Sequence, residues 1–333
     1  MVRIWFNHWF STIYGMIDSL KQAHEDYYII GSNDKEYAVY RMLCDEWVQE
    51  PVLSDKDYVA YCLTFCREHD VQVFVPRRHM LAISRHKADF EAIGVKVLAD
   101  DYELIEPLQH KIKAYERLSG VSSLHIPVYE RVTNVQEFLA AYQRLQAQEQ
   151  RVCFKFEQDE GGQSFRLIDN DRKGFQALFR TQGSRMTLEA VTAALSEVDS
   201  FRPLLVMPYL PGVEVSVDCL STPSGLLMIP RIKDVTRIER IVYQEDLLQM
   251  CRDLWAVYPL QCPFNVQFKY QGDVPYFLEV NTRLSGGAQM ACAAEQINLL
   301  DIAIAQLLGQ TREWHISRED KQVSYVEIPL RLS

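Results

Sequence analysis

The sequence is poor in the features that several functional classes require. It has eight cysteines in 333 residues, but no CxxC pair and no metal-knuckle spacing. Zinc-finger and disulfide-stapled folds are therefore excluded, since a chain of this length buries a core without staples. The closest pair, Cys62 and Cys66, falls with Val59 and Leu63 at helical spacing, so core packing and buried free thiols are expected. The eight histidines form no HExxH or similar ligand pair. Basic charge is scarce: 35 Lys and Arg against 45 Asp and Glu give a net charge of -10. A general grip on nucleic acid or anionic lipid is disfavoured, and an anionic ligand must be met by a few placed cations. No apolar run approaches membrane-spanning length, and Met1 to Phe10 is interrupted by Arg3, Asn7 and His8, unlike a signal peptide. Glycine is missing from the first strand-to-helix turn, Asn7 to Thr12, where a dinucleotide fingerprint needs it, and no GxxxxGK[ST] occurs. A soluble, cytoplasmic protein with no nucleic-acid and no membrane partner is expected.

What is present is a core-forming chain, 48% hydrophobic and 24% charged, whose length favours two domains. Up to about residue 107, short apolar runs alternate with amphipathic segments, the signature of a βαβ layered sheet. Strands are expected at Val2 to Phe6, Tyr27 to Gly31, Val71 to Val75 and Val95 to Leu98. Helical stripes fall at Ile13, Ile17 and Leu20, and at Val59, Cys62, Leu63 and Cys66. A boundary is expected near Glu106-Pro107. Beyond it Lys111 to Leu118 reads as a helix, as does Val135 to Gln146, with Asn134 as N-cap, Glu137 at the third position and Phe138, Leu139, Tyr142 and Leu145 as its apolar face. After residue 150 strands and hairpins dominate: Arg151 to Glu157, Leu204 to Met207, Val213 to Leu220, Leu226 to Pro230, Asn265 to Tyr270 and Tyr276 to Asn281. One helix carries Leu247, Leu248, Cys251, Leu254 and Trp255, and a long apolar helix is expected from about Ala288 to just before Gly309. The later part thus reads as α+β with antiparallel sheet. Trp5, Trp9 and Phe10 suit an interface, as in a homodimer, as readily as a core.

Three stretches could carry chemistry. In Pro263 to Phe268 and Tyr276 to Gly287, the residues Glu279, Asn281 and Arg283 recur with period two and share one strand face. Gln267 joins that face if the connecting turn has an odd number of residues. One carboxylate with two amide oxygens suits Mg²⁺, and Arg283 beside them suits a phosphate or carboxylate. The plain alternative is the solvent face of a half-buried hairpin. Lys155 lies in a strand between Phe154 and Phe156 and precedes the turn Asp159 to Ser164, from which it could reach phosphate oxygens. Met207 to Leu210, a proline-bounded connection between apolar strands, could meet an adenine edge through its backbone, with the Glu214 carboxylate beyond it for ribose hydroxyls. The plain alternative there is a hairpin with a polar outer face.

In their order these pieces resemble the ATP-grasp superfamily, and NVQF followed by EVNTRLSGG is most similar to the carbamoyl-phosphate synthase large chain and its relatives. The resemblance covers essentially the whole chain. It implies a pre-ATP-grasp, Rossmann-like α/β domain over about residues 1–107, then an ATP-grasp fold of two α+β subdomains over about 108–333, with the lid subdomain at about 118–203. It also implies ATP and Mg²⁺, with Mn²⁺ as an alternative metal. Lys111 and Lys155 would hold phosphates, Met207, Tyr209 and Leu210 would form the adenine hinge, and Glu214 would bind ribose. Gln267, Glu279 and Asn281 would hold the metal, and Arg283 would meet the transferred phosphate or the acyl substrate. Arg231, Lys233 and Ser285 are further candidates for an anionic substrate. Some spellings depart from the family. His110 replaces the usual acid before Lys111, which leaves Lys113 as a second candidate for that cation, Pro208 replaces a hinge glutamate, and the lid turn is acidic and glycine-poor. A complete carbamoyl-phosphate synthase large chain has two such units and this sequence has one. The implied activity is an ATP-dependent ligase that joins a small-molecule carboxylate to an amine or other nucleophile through an acyl phosphate, releasing ADP and phosphate. Two alternatives stay open: an ATP-binding regulatory or assembly subunit without turnover, and a phosphotransferase whose phosphorylated product is final.

Overall fold

A computed structural model describes residues 1–24, 26–148, 150–159, 162–171, 183–233 and 237–331. Their packing forms two compact units, one of Met1–Leu108, Val213–Phe268 and Glu279–Ser333, the other of Gln109–Gly212 and Lys269–Leu278. Pro107 lies inside the helix Tyr102–Gln109.

In the first unit β1 (Val2–Asn7), β2 (Tyr27–Asn33), β3 (Glu46–Gln49), β4 (Val73–Val75) and β5 (Lys96–Val97) form a parallel sheet in the order β3-β2-β1-β4-β5. Both faces of such a sheet are covered, so its central strand is apolar on both sides. Ile4 and Phe6 of β1 enter one core with Met16, Ile17 and Leu20 of the helix Tyr14–Ala23. Trp5 enters the other with Tyr58, Val59, Cys62, Phe65 and Cys66 of the helix Asp55–Glu68. The interface reading of Trp5 and Trp9 is thereby corrected, because both are buried and only Phe10 of the three is exposed. The sequence pattern misses β3, an edge strand of four residues without an apolar run. All eight cysteines are free and seven are buried, and burial pushes the Cys66 and Cys153 thiols up to about 12.

The first core continues into the C-terminal elements through Leu220, Leu227, Ile229 and Ile241. These residues belong to a sheet of β11 (Glu214–Thr222), β12 (Gly225–Lys233), β13 (Ile238–Ile241), β14 (Phe264–Gln271), β15 (Val274–Asn281) and β16 (Lys321–Ser324), in the order β15-β14-β11-β12-β13-β16. Two helices pack into the same core, Ala288–Glu295 and Leu299–Leu307, where the sequence led us to expect one. The break comes from Gln296, which turns left-handed at φ 55°, and from Asn298, whose Oδ1 caps the second helix by accepting from Leu300 N at 3.0 Å.

The second unit holds β6 (Glu130–Val132), β7 (Val152–Phe156), β8 (Arg166–Ile168), β9 (Arg185–Met186) and β10 (Leu204–Pro208), in the order β6-β10-β7-β8-β9. The helix Val135–Gln146 covers this sheet with Phe138, Ala141, Tyr142 and Leu145, and Leu139 is only half-buried. Asn134 Oδ1 accepts from Glu137 N at 2.9 Å as expected of the N-cap. The Glu137 carboxylate returns to Thr133 N at 2.7 Å. No helix among the described residues is long and apolar enough to cross a membrane.

Candidate active site

In the first unit the polar residues of β11 do not form an outer face. Ser216 and Asp218 are buried, because β11 has neighbours on both sides and a core against it. Arg231, directly across from Ser216 on β12, is only 1% exposed. Its Nε donates to Asp218 Oδ2 at 2.6 Å, one Nη to Glu239 Oε2 at 2.5 Å and the other to Ser285 Oγ at 3.0 Å. Burial alone would lower the Arg231 pKa, but the Asp218 and Glu239 carboxylates outweigh it and hold the guanidinium charged. Asp218 Oδ1 also accepts from Ser285 Oγ at 2.7 Å and from Asn265 Nδ2 at 2.9 Å. Arg231 is therefore the centre of a satisfied buried network rather than a solvated strand end. Asp218, Glu239, Asn265 and Ser216 were not singled out from sequence, where they look like ordinary polar alternation.

Gly287 has no room for a side chain, since a Cβ there would lie 2.3 Å from an Arg231 Nη. Gly287→Ala should cost about 1–3 kcal/mol in urea unfolding by displacing that guanidinium. Gly286→Ala should stay within about 0.5 kcal/mol, because no atom lies within 4 Å of its Cβ position. Equal stabilities for the two variants would contradict this packing.

Glu279 and Asn281 lie two apart near the end of β15, both half-buried. The odd-numbered turn on which Gln267 depended is not found: β14 and β15 are joined by Gly272-Asp273, two residues, with Gly272 at φ 59°. Gln267 shares a face with Asn265 on its own strand, its Nε2 lying 3.5 Å from Asn265 Oδ1. Burial along β15 does not alternate strictly either: Tyr276 and Leu278 are half-buried, whereas Phe277 and Val280 are buried. Phe277 is buried against Tyr115 in the second unit, ring centroids 5.9 Å apart, whereas Val280 is buried in the first. Arg283 donates to Leu284 O at 3.1 Å, and its Cζ lies 5.4 Å from the Phe10 ring centroid. Lys233 and Glu214, expected to serve different ligand groups, pair with each other at 2.6 Å across the β11–β12 ladder.

In the second unit Lys155 stands on β7 opposite Leu205 of β10. Lys111 opens the helix Lys111–Leu118, is 5% exposed and donates from Nζ to Asp159 O at 3.0 Å. That contact brings Lys111 to Asp159, which opens the acidic turn named above. Asp159 closes the turn on itself by accepting from Ser164 N at 2.8 Å and from Ser164 Oγ at 2.5 Å. Its Glu160 and Gly161 lie outside the described residues, as does Asp234 beside Lys233. Met207 and Leu210 are buried, and Tyr209 N donates to Arg151 O at 2.7 Å.

A family described as "ATP-grasp in the biosynthetic pathway with Ter operon" matches residues 200–329, the stretch that holds Gln267, Glu279, Asn281 and Arg283. Residues 200–329 are thus similar to an ATP-grasp domain. Over 242 residues it is 24% identical to the carbamoyl phosphate synthase large chain of Thermomicrobium roseum, an alignment covering 67% of this chain and 20% of that protein. The chain thus spans about a fifth of the length of the curated relatives it matches. Among solved structures, N5-carboxyaminoimidazole synthetase from Staphylococcus aureus, complexed with ADP, is similar at TM-score 0.70 and 13% identity, covering 96% of this chain and 81% of that one. Biotin carboxylase from Campylobacter jejuni, in a β-γ-ATP complex, gives 0.69 and 13%, covering 93% and 72%. The fold of the chain matches these structures along nearly its whole length.

Proposed function

We propose that this protein is a cytoplasmic ATP-dependent ligase that joins a small-molecule carboxylate to a nucleophile through an acyl phosphate. The observation that carries the reading is the ATP-grasp match over residues 200–329, the stretch that holds Glu279, Asn281 and Arg283. In this reading residues 1–107 are the pre-ATP-grasp domain and 108–333 the ATP-grasp domain, with a lid at about 118–203. The β15 donors fit magnesium, because Glu279 supplies a carboxylate and Asn281 an amide oxygen on a partly exposed strand end, and Gln267 on β14 stays in the proposed set on the family resemblance rather than on a shared strand face. Among the described residues no group of three or more His, Cys, Asp or Glu side chains could hold a metal, so this amide-rich set is the one proposed. Manganese is an alternative occupant, and the bound metal would neutralise charge on the phosphoryl oxygens.

The chain's own residues do the rest. Lys111 and Lys155 hold phosphate oxygens, the backbone of Met207, Tyr209 and Leu210 holds adenine, and Glu214 exchanges Lys233 for ribose hydroxyls. A carboxylate oxygen of the acid attacks the γ-phosphorus while the bond to ADP breaks. The nucleophile then attacks the acyl carbon and phosphate leaves. Arg283 balances charge on the transferred phosphate, and Arg231 acts through Ser285, which it positions, more than by touching substrate.

Two measurements test this. Screening carboxylic acids against amines for ADP release, with mass spectrometry of products, should give one condensed product. ATP binding without release under every mixture would instead identify a binding subunit. Lys155→Met should weaken nucleotide affinity at least about tenfold by calorimetry, as expected for a lost charge-assisted contact. An affinity equal to the parent's would remove Lys155 from the site.

A further inference from the structure

At the carboxyl ends of β1 to β4 the first unit carries a second polar cluster, which the phosphoryl-transfer chemistry does not use. The order β3-β2-β1-β4-β5 reverses its winding between β1 and β4, and open α/β sheets bind ligands outside the strand ends at such a point. His8 sits there, directly after β1, at φ 50°. A residue with a Cβ keeps that left-handed conformation only where its surroundings impose it. Here they are Glu50, only 4% exposed, whose Oε2 lies 2.6 Å from His8 Nε2 and accepts from Tyr58 OH at 2.7 Å, while Ser32 Oγ donates to its other oxygen.

A carboxylate only accepts, so Nε2 carries the hydrogen in neutral His8 and Nδ1 is left as the basic end. Nδ1 faces an ion pair, with Arg78 Nη1 at 3.4 Å and Asp34 Oδ1 at 3.5 Å. Arg78 Nη1 lies 2.6 Å from Asp34 Oδ2. Burial works against ionisation of Asp34, but the Arg78 hydrogen bond and the neighbouring positive charges outweigh it and hold its carboxyl below the usual range. The pair is solvent-accessible, with side chains 36% and 23% exposed, whereas that of His8 is 8% exposed.

We infer that this cluster binds the nucleophilic co-substrate as an α-amino acid, Arg78 taking the carboxylate, Asp34 the ammonium, and His8 Nδ1 the proton that the ammonium must lose. An adjacent cation and anion that now satisfy each other are the complement of a zwitterion, and a simple amine or a simple acid would satisfy only half of the pair. The proton balance closes: the ammonium gives one H⁺ to His8, the free amine attacks the acyl phosphate, the C–N bond forms, the C–O bond to phosphate breaks, and the second proton lost from the nitrogen leaves on the departing phosphate. Phe10, two residues beyond His8, has the Arg283 Cζ 5.4 Å from its ring centroid, which joins this cluster to the residue proposed to meet the acyl phosphate. The inference rests on the ligase reading and names the class of its second substrate.

The test is saturation-transfer NMR and calorimetry on the full chain without nucleotide, with each of the twenty protein amino acids as probe. At least one should bind, and its methyl ester and its decarboxylated amine should each bind at least about tenfold more weakly. Arg78→Gln and Asp34→Asn should cause a similar loss. Arg78→Lys, which keeps the charge without the planar fork, should fall between and guards against loss through misfolding. Binding of none of the twenty, or binding indifferent to both substitutions in folded variants, overturns the inference. Acid-dependent ADP release without amino-acid binding overturns it while sparing the ligase reading. Amino-acid binding without ADP release for any acid supports this site and removes the ligase reading instead.

Discussion

Glu279→Gln should lower metal-dependent ADP release at least about 100-fold, an effect of the size seen when a preorganised charge-stabilising group is removed. The substitution is nearly isosteric, and Glu279 is half-buried near a strand end, so the unfolding free energy should stay within about 0.5 kcal/mol. The charge is what changes. An amide binds magnesium far less well than a carboxylate, and this position supplies the one carboxylate of the proposed donor set. Raising the magnesium concentration should recover part of the lost rate. An unchanged rate at any magnesium concentration would remove Glu279 from the metal site.

Asp218→Ala is expected to be the most damaging change to stability. Arg231 and Asp218 are each 1% exposed, and removing one partner of a buried pair leaves a charge without compensation. Glu239 still reaches the guanidinium, but Ser285 and Asn265 lose their acceptor in the same step. The cost should be about 3–5 kcal/mol in urea unfolding, with catalysis falling as well because Ser285 is released. Asp218→Asn, which keeps one acceptor oxygen, should cost less. A loss below about 1 kcal/mol for the alanine variant would show that solvent reaches the pair and screens it.

Much of the architecture is legible where the pattern is local. The helix Val135–Gln146 shows in sequence because its cap, its acidic third residue and its apolar face are all written within a dozen positions. The strands of the parallel sheet show because central strands covered on both faces are continuous apolar runs. What fails to show depends on distant partners. β3 is held by β2 at a sheet edge and has no run of its own. The break at Gln296 is marked by neither glycine nor proline, and only the Asn298 cap hints at it.

The same distinction holds for the candidate site. Glu279, Asn281 and Arg283 can be singled out because a short motif carries them at strand period. Arg231 also stands out as a charge, but not as a buried one, since its partners come from β11, β13 and the turn before the helix Ala288–Glu295. The fit of Gly287 against that guanidinium exists only once those elements pack. His8 looks like one of eight scattered histidines until Glu50 and Asp34, 42 and 26 positions away, are brought to it by the sheet.

The ligase reading is tested most directly by trapping its intermediate. The protein is incubated with Mg-ATP, a panel of carboxylic acids and hydroxylamine, and both ADP and acyl hydroxamate are measured. One acid should yield hydroxamate and ADP in equal amounts, with both falling at least about 100-fold in Glu279→Gln. Bound ATP with no hydroxamate from any acid would contradict the acyl-phosphate chemistry and leave a nucleotide-binding protein.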